Sequence, residues 1–153
     1  MNIKDLIVQK MPVNIDHRGY LIEGWRSDLT NFQPQMMYVS YSQPKVRRGA
    51  HLHRLQMDYF VFLGPANFRV VVIDNRDFSS TYKEVDDFYV GANNPVYVVI
   101  PTGCWHGYQN VSNEIGMVIN LPDKLYKGEQ YKDPVDEVRC NWNEIYDWPE
   151  VKD

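Results

Sequence analysis

Short apolar segments separated by turn residues are the feature of this chain that most restricts its fold. Each segment is rich in Val, Ile, Tyr and Phe, and Gly, Pro or Asn residues separate one from the next. No part of the chain shows the 3.6-residue period of an amphipathic helix over a helical length. The segments cover residues 36–41, 58–63, 68–74, 88–90, 96–100 and 116–121. Strands that recur every 8–12 residues or so, with few helices, predict a β-sandwich or a β-barrel.

The length of 153 residues and the hydrophobic content of 44% fit one domain with its own core. No linker, repeat or low-complexity segment divides the chain, so residues 1–153 are predicted to form a single domain. Residues 124–153 are rich in charged and aromatic side chains. Within them, residues 141–151 indicate a short helix or an irregular aromatic cap.

Charge and cysteine content exclude several classes of partner. The 16 Lys+Arg and 20 Asp+Glu give a net charge of −4, and without a basic run this argues against nucleic acid. No apolar stretch approaches the ~18 residues of a membrane span, and residues 1–16 lack the apolar core of a signal peptide. Cys104 and Cys140 have no metal-ligand spacing. The sequence therefore predicts a cytoplasmic, reducing setting without membrane contact.

Three of the four histidines fall in two short motifs. The first is Gly-Ala-His-Leu-His at residues 49–53, and the second is Pro-Thr-Gly-Cys-Trp-His-Gly-Tyr-Gln-Asn at residues 101–110. On a strand, His51 and His53 lie two residues apart, so their side chains share one face. In the second motif, a Pro/Gly turn places His106 at the start of the next strand.

These motifs resemble the two signatures of the cupin superfamily, G…HxH…E…G followed by PxGxxHxxxN. The resemblance implies an all-β, double-stranded β-helix (jelly-roll) barrel with a short irregular or helical C-terminal tail. In that fold, His51, His53 and His106 converge on one interior pocket. Asp58 stands where cupins usually carry Glu, and these four residues form a candidate site for a divalent metal. Because Asp58 follows His53 by an odd step of five residues, ligation through it requires an intervening bulge or turn.

A longer series of motifs is similar to the dTDP-4-dehydrorhamnose 3,5-epimerase family. Four patterns of that family occur here in order: D-x-RG-x-x-x-E at residues 16–23, RG-x-H at 48–51, D-x-R-x-x-S-x-T-[FY] at 74–82 and, except at one proline, PPG-x-x-HG at 100–107. The resemblance implies a homodimeric cupin enzyme without a metal or other cofactor. It also implies a nucleotide-sugar substrate, a 4-keto-6-deoxy sugar epimerised at C3, C5 or both, in deoxysugar and surface polysaccharide biosynthesis.

Such an epimerisation sets chemical requirements that the resemblance assigns to residues. The C4 ketone acidifies the hydrogens at C3 and C5, so a base, a donor to the enolate oxygen and an acid on the opposite face are needed. The family match makes His51 the base, and Glu144 is the candidate carboxylate that orients its ring. His53 is a further catalytic candidate. The predicted substrate-binding residues are Arg18, Glu23, Arg48, Tyr59, His106 and Tyr108.

Two departures from the family pattern leave more than one function open. Ile119 stands where the family has its catalytic Tyr, and Met57 stands where it has a Lys that stabilises the oxyanion. Tyr59, Tyr108 or Tyr126 are available instead. The motif at residues 48–53 also resembles that of the sugar 3,4-ketoisomerases, which shift protons through an enediol on one face. A metal-binding cupin enzyme and a non-catalytic sugar-binding relative are compatible with the same motifs.

Overall fold

The computed structural model describes residues 1–149 and shows an almost entirely β architecture. Residues 150–153, which belong to the predicted C-terminal tail, lie outside the described part. Twelve strands lie within residues 1–149: β1 (Ile7–Lys10), β2 (Val13–Asp16), β3 (Gly19–Ile22), β4 (Tyr38–Ser42), β5 (Arg47–Leu52), β6 (Asp58–Phe62), β7 (Asn67–Asp74), β8 (Val85–Gly91), β9 (Val96–Ile100), β10 (Cys104–Asn110), β11 (Gly116–Asn120) and β12 (Val138–Arg139). Two short 3-10 turns, Glu129–Tyr131 and Trp142–Glu144, are its helical elements. None of its helices is long and apolar enough to span a membrane.

Ten of these strands form two antiparallel five-stranded sheets. The first sheet has the order β1-β9-β6-β11-β4, and the second has the order β12-β5-β10-β7-β8. Strands β2 and β3 form a separate hairpin. Aromatic and branched side chains from both sheets share one buried cluster, which includes Phe60 and Val98 of the first sheet and Phe68, Val70 and Tyr108 of the second.

Strand alternation explains how each sheet also buries its outer face. In β7, Val70 and Val72 point into the shared core, whereas Val71 and Ile73 point outward. The C-terminal tail covers that outer face with Trp142 and Trp148, so β7 is buried on both sides.

Close packing of the tail depends on a glycine in β10. A Cβ atom at Gly107 would lie 2.2 Å from the carbonyl oxygen of Arg48 and 2.5 Å from the ring of Trp142. Only glycine allows β5, β10 and the Trp142 ring to approach this closely. Residues 141–149 hold a 3-10 turn at Trp142–Glu144, which agrees with the short helix or irregular cap predicted there.

The N-terminal third of the chain covers the outer face of the first sheet. Met11 and Phe32 pack there against Tyr59, Val61 and Val99. Residues that alternate with these along β6 and β11 therefore face the space between the sheets, where the site lies.

Candidate active site

A cavity of about 1180 Å³ opens between the two sheets. Tyr38 and Ser40 of β4 line it from the first sheet, and Arg48 and His51 of β5 line it from the second. Residues 122–139 supply much of the remaining wall. Its volume lies slightly above the range of roughly 300–1,000 Å³ that is common for small-molecule pockets, so the cavity has room for a ligand of that size.

The three motif histidines converge at the base of this cavity. The antiparallel register of β5 and β10 places His51 directly opposite His106, and their ring centroids lie 4.2 Å apart. The ring of His53 is 5.5 Å from that of His51 and 5.8 Å from that of His106. His51 is half-buried and faces the cavity, whereas His106 is buried beneath it.

A tight turn after β5 brings a carboxylate to the histidines. The side chain of Asp136 accepts hydrogen bonds from the backbone N–H groups of Arg54, Leu55 and Gln56, at 3.0, 2.8 and 2.9 Å. This turn separates β5 from β6 and reverses the chain, so Asp58 points inward despite the odd step that precedes it. The bulge or turn that the sequence predicted between His53 and Asp58 is therefore present as a turn.

Asp58 is the centre of the polar cluster. One of its oxygens, Oδ2, lies 3.0 Å from His106 Nε2 and 3.4 Å from His53 Nε2. The other, Oδ1, accepts from the amides of Gln56 and Asn120, at 2.8 and 2.7 Å. Burial alone would raise the pKa of Asp58. That pKa is nevertheless held well below its usual range by the hydrogen bond and charge of His106, the charge of His53 and the hydrogen bond from Asn120. Asp58 is therefore a carboxylate.

The hydrogen bonds of His106 fix its protonation state. Its Nδ1 lies 3.0 Å from the carbonyl oxygen of Cys104, and its Nε2 faces the carboxylate of Asp58. Both partners only accept hydrogen bonds, so both ring nitrogens carry a proton. His106 and Asp58 thus form a buried ion pair under the cavity.

His51 differs from His106 in both hydrogen bonding and charge. Within residues 1–149 no hydrogen bond to its ring is formed, and burial together with the charge of His106 lowers the pKa of His51 well below its ordinary value of 6.5. The nearby Asp58 opposes this shift and His53 adds to it. At neutral pH, His51 therefore presents an uncharged ring with a lone pair available as a base.

The same residues have the donor atoms of a metal site. One ligand atom from each of His51, His53, Asp58 and His106 can be chosen so that all lie within 4.8 Å of one another. Imidazole and carboxylate ligands suit a divalent transition metal. To bind one, His106 must lose its Nε2 proton and its hydrogen bond to Asp58. The set thus fits an ion chemically, but its hydrogen bonds are already satisfied without one.

Five of the predicted catalytic and substrate-binding residues do not line the cavity of their own chain, and Glu144, Tyr59 and His106 are three of them. Glu144 is exposed in the second 3-10 turn and does not line the cavity, so the carboxylate at the histidines is that of Asp58 instead. Tyr59 points to the outer face of β6, because it is adjacent to the inward Asp58, and its hydroxyl donates to the carbonyl of Gly24 at 3.0 Å. His106 supports His51 from below and has no surface in the cavity.

Two of the predicted substrate-binding residues, Arg48 and Tyr108, line the cavity. The Nε atom of Arg48 donates to Ser42 Oγ at 2.9 Å. The hydroxyl of Tyr108 lies 2.7 Å from Ser40 Oγ. These contacts hold the guanidinium group of Arg48 and the phenol of Tyr108 in the cavity that His51 also lines.

Arg18 and Glu23 do not reach the cavity of their own chain. Arg18 follows β2, where its Nε donates to Asp16 at 3.0 Å, and Glu23 pairs with Arg26 at 3.1 Å after β3. Both predicted substrate-binding residues are exposed.

The two departures from the family pattern also have a structural outcome. Ile119 and Met57 both pack on the outer face of the first sheet, so neither replaces a cavity residue. Asn120, the next residue in β11, points inward between Phe60 and Tyr38 in the register. Sequence reasoning missed Asn120 and Asp136 as members of the site. A polar Asn inside an apolar strand segment is the signal that identifies Asn120.

Sequence comparison with known proteins gives one family. The family model described as dTDP-4-dehydrorhamnose 3,5-epimerase matches residues 1–146. The probable low-salt glycan biosynthesis epimerase Agl13 of Haloferax volcanii is 38% identical over 139 residues, which cover 89% of this chain and 86% of Agl13. The spore coat polysaccharide biosynthesis protein SpsL of Bacillus subtilis is 31% identical over 140 residues, which cover 90% of this chain and 88% of SpsL.

Structural comparison confirms the predicted cupin jelly-roll fold. The crystal structure of ChmJ, a 3'-monoepimerase from Streptomyces bikiniensis in complex with dTDP-quinovose, matches with a TM-score of 0.80 at 21% identity. The match covers 92% of this chain and 72% of ChmJ. Since the family model spans nearly the whole chain and Agl13 is a clear homologue, this chain is a sugar-nucleotide epimerase and belongs to the dTDP-4-dehydrorhamnose 3,5-epimerase family.

Proposed function

We propose that this enzyme epimerises a nucleoside-diphosphate-linked 4-keto-6-deoxy sugar at C3, C5 or both. The observation that carries the proposal is the uncharged His51 ring in the cavity, placed over a buried ion pair. The names of Agl13 and SpsL support a role in glycan or surface polysaccharide biosynthesis. ChmJ, with dTDP-quinovose bound, supports a nucleotide sugar as the ligand class.

The chemistry follows from the position of His51. Its lone pair removes the hydrogen at a carbon next to the C4 ketone, and the electrons of that C–H bond form an enolate with the charge on the C4 oxygen. The bound proton makes His51 cationic, and the carboxylate of Asp58 nearby stabilises that charge. Arg48 and Tyr108 supply donors from the cavity wall for the enolate or a phosphate oxygen.

The first test is solvent exchange with the wild-type enzyme. We expect incubation with dTDP-4-keto-6-deoxyglucose in deuterated water to place deuterium at C3 or C5 of the sugar, as followed by NMR. The reason is that a proton held on His51 exchanges with solvent before it returns to carbon. Guanosine and cytidine diphosphate sugars serve as parallel substrates, because the nucleotide is not known.

Two different results of the same experiment indicate another reaction class. Exchange confined to C3, with the keto group moving to that carbon, indicates a sugar 3,4-ketoisomerase. No exchange with any nucleotide, together with stoichiometric metal by elemental analysis, indicates a metal-dependent cupin that uses His51, His53, Asp58 and His106 as ligands.

The hairpin of β2 and β3 supports a homodimer. It is exposed on both strands, with Ile15, Tyr20 and Leu21 at 79%, 62% and 61% exposure. It also carries or adjoins Arg18 and Glu23, the family's substrate-binding positions, away from the cavity of its own chain. We infer that it packs on a second copy and completes the cavity there, where Arg18 binds a phosphate.

Complementation between two variants tests the shared site. Neither Arg18→Ala/Glu23→Ala nor His51→Gln is expected to be active alone at low substrate concentration. Co-expressed, they form heterodimers with one intact site, so activity should return to about a quarter of the wild-type level if chains mix at random. A monomer by light scattering, or no recovery in purified heterodimers, contradicts the shared site.

We also propose a cytoplasmic location. Cys104 and Cys140 are both free thiols, and Cys104 is fully buried. Free cysteines are typical of a reducing compartment.

A further inference from the structure

Tyr38 faces the catalytic space from the sheet opposite His51. It lies on β4, at the edge of the first sheet, whereas His51 lies on β5 of the second sheet, and both line the cavity. In the register, Tyr38 pairs with the inward Asn120, and Val39 pairs with the outward Ile119. A planar enolate held between the sheets therefore has His51 on one side and Tyr38 on the other.

Hydrogen bonding leaves the phenolic proton of Tyr38 free. The same amide atom of Asn120 lies 2.7 Å from Asp58 Oδ1 and 2.9 Å from the Tyr38 oxygen. Because the carboxylate only accepts, that atom is the amide nitrogen, and it donates to both neighbours. The oxygen of Tyr38 is thus an acceptor here. Asn120 is its one hydrogen-bond partner among residues 1–149, so no group in that part of the chain accepts the phenolic proton.

The surroundings keep this hydroxyl protonated. Burial and the negative charge of Asp58 raise the pKa of Tyr38 above its ordinary value of 10.0, and the Asn120 bond only partly offsets this. A phenol held in its acidic form, with its proton unengaged, is suited to donate to a carbanion rather than to act as a base.

We propose that Tyr38 is the catalytic acid that protonates the enolate on the face opposite to His51. This rests on the proposed function. His51 takes the hydrogen from one face, and the phenolic O–H bond of Tyr38 breaks as a new C–H bond forms on the other. The enolate electrons return to carbon and restore the ketone. Solvent then takes the proton from His51 and returns one to the phenolate, so no oxidant or reductant is needed.

Other tyrosines are placed less well for this step. The hydroxyl of Tyr108 is already engaged, because it lies 2.7 Å from Ser40 Oγ. Tyr59 is on the outer face of β6 and engages Gly24. Tyr41 is on β4 with Tyr38 but an odd step away, and its side chain does not line the cavity.

The test separates proton removal from inversion in the variant Tyr38→Phe. We expect inversion at the epimerised carbon to fall at least about 100-fold, as is typical for loss of a general acid. Deuterium exchange at the same carbon, with retention of configuration, should stay within about tenfold of wild type, because His51 still removes and returns the proton. The matched control is Tyr41→Phe, the same loss of a hydroxyl on the same strand, which should invert the sugar at the wild-type rate.

Two results overturn the assignment. Inversion by Tyr38→Phe at near the wild-type rate excludes the residue as the acid. Loss of exchange together with inversion, while dTDP binding by calorimetry is retained, assigns Tyr38 to the enolate oxygen instead. Both differ from failure of the proposed function, in which the wild-type enzyme itself shows neither exchange nor inversion.

Discussion

Replacement of His51 by Gln is expected to abolish solvent exchange and lower turnover by about 10³-fold or more. His51 is the only cavity-lining group whose uncharged ring presents a lone pair without a hydrogen-bond partner in residues 1–149. Glutamine keeps the volume and polarity of the site but cannot accept a proton at neutral pH. General base catalysis contributes roughly 10²–10⁴-fold. The neighbouring His53 does not replace it, because its ring nitrogens already face the carbonyl oxygen of Asp136 and the carboxylate of Asp58. NMR of the sugar protons in deuterated water measures both rates.

Binding and folding controls make this result specific. The His51→Gln variant should bind dTDP like wild type, because Arg48 and the cavity walls are unchanged, and its Tm should shift little because His51 is only half-buried. His17→Gln makes the same change at an exposed histidine and should keep full exchange. If His51→Gln retained more than a tenth of wild-type exchange, the base would have to be another residue.

Strand parity explains why the sequence predicted this part of the site. His51 and His106 belong to motifs on neighbouring strands, and two-residue alternation places their rings on the inner face once the register is set. The need for a turn before Asp58 follows from the same parity, and the turn exists because Asp136 caps three backbone N–H groups. That cap comes from a residue 78 positions after Asp58 along the chain, which no local pattern reveals.

The two-residue alternation of strands also explains why two residues singled out from the motifs, Ile119 and Tyr59, face away from the cavity. Ile119 matches the family's acid by motif alignment, but a shift of one residue reverses the face of a strand, and it is Asn120 that points inward. Tyr59 is likewise one residue from the inward Asp58. The assignment of Glu144 rests on a poorly matching tail segment, and the tail instead places Trp142 on the outer sheet face.

Edge elements were the least predictable part of the fold. The hairpin strands β2 and β3 are exposed along almost their whole length, so they lack the alternation of buried and polar residues that identifies a strand. Strand β12 has only two residues. The buried strands β6, β7 and β9 were predicted, because their apolar runs face a core on both sides.

Replacement of Asp58 by Asn is expected to have the largest effect on stability. Asp58 is 1% exposed, and it is the carboxylate partner of the protonated His106. Asparagine keeps the shape but removes the charge, which leaves a buried imidazolium unpaired. Breaking a buried ion pair by removal of one partner costs about 3–5 kcal/mol, which corresponds to a Tm lower by roughly 10 °C or more. Urea unfolding and thermal melts at pH 7 measure both, and Asp77→Asn, an exposed carboxylate in a loop, should leave them unchanged.

The pH dependence of that loss tests its electrostatic origin. Burial alone would raise the pKa of Asp58. The hydrogen bond from His106, together with the positive charges of His106 and His53, instead holds the folded-state pKa below the ordinary value of 3.8. The contribution of Asp58 is therefore fully present above pH 3.8 or so and is lost as the pH falls toward the folded-state value. The difference in unfolding free energy between wild type and Asp58→Asn should therefore shrink as the pH falls below about 4. A variant as stable as wild type at pH 7 would contradict a stabilising ion pair between Asp58 and His106.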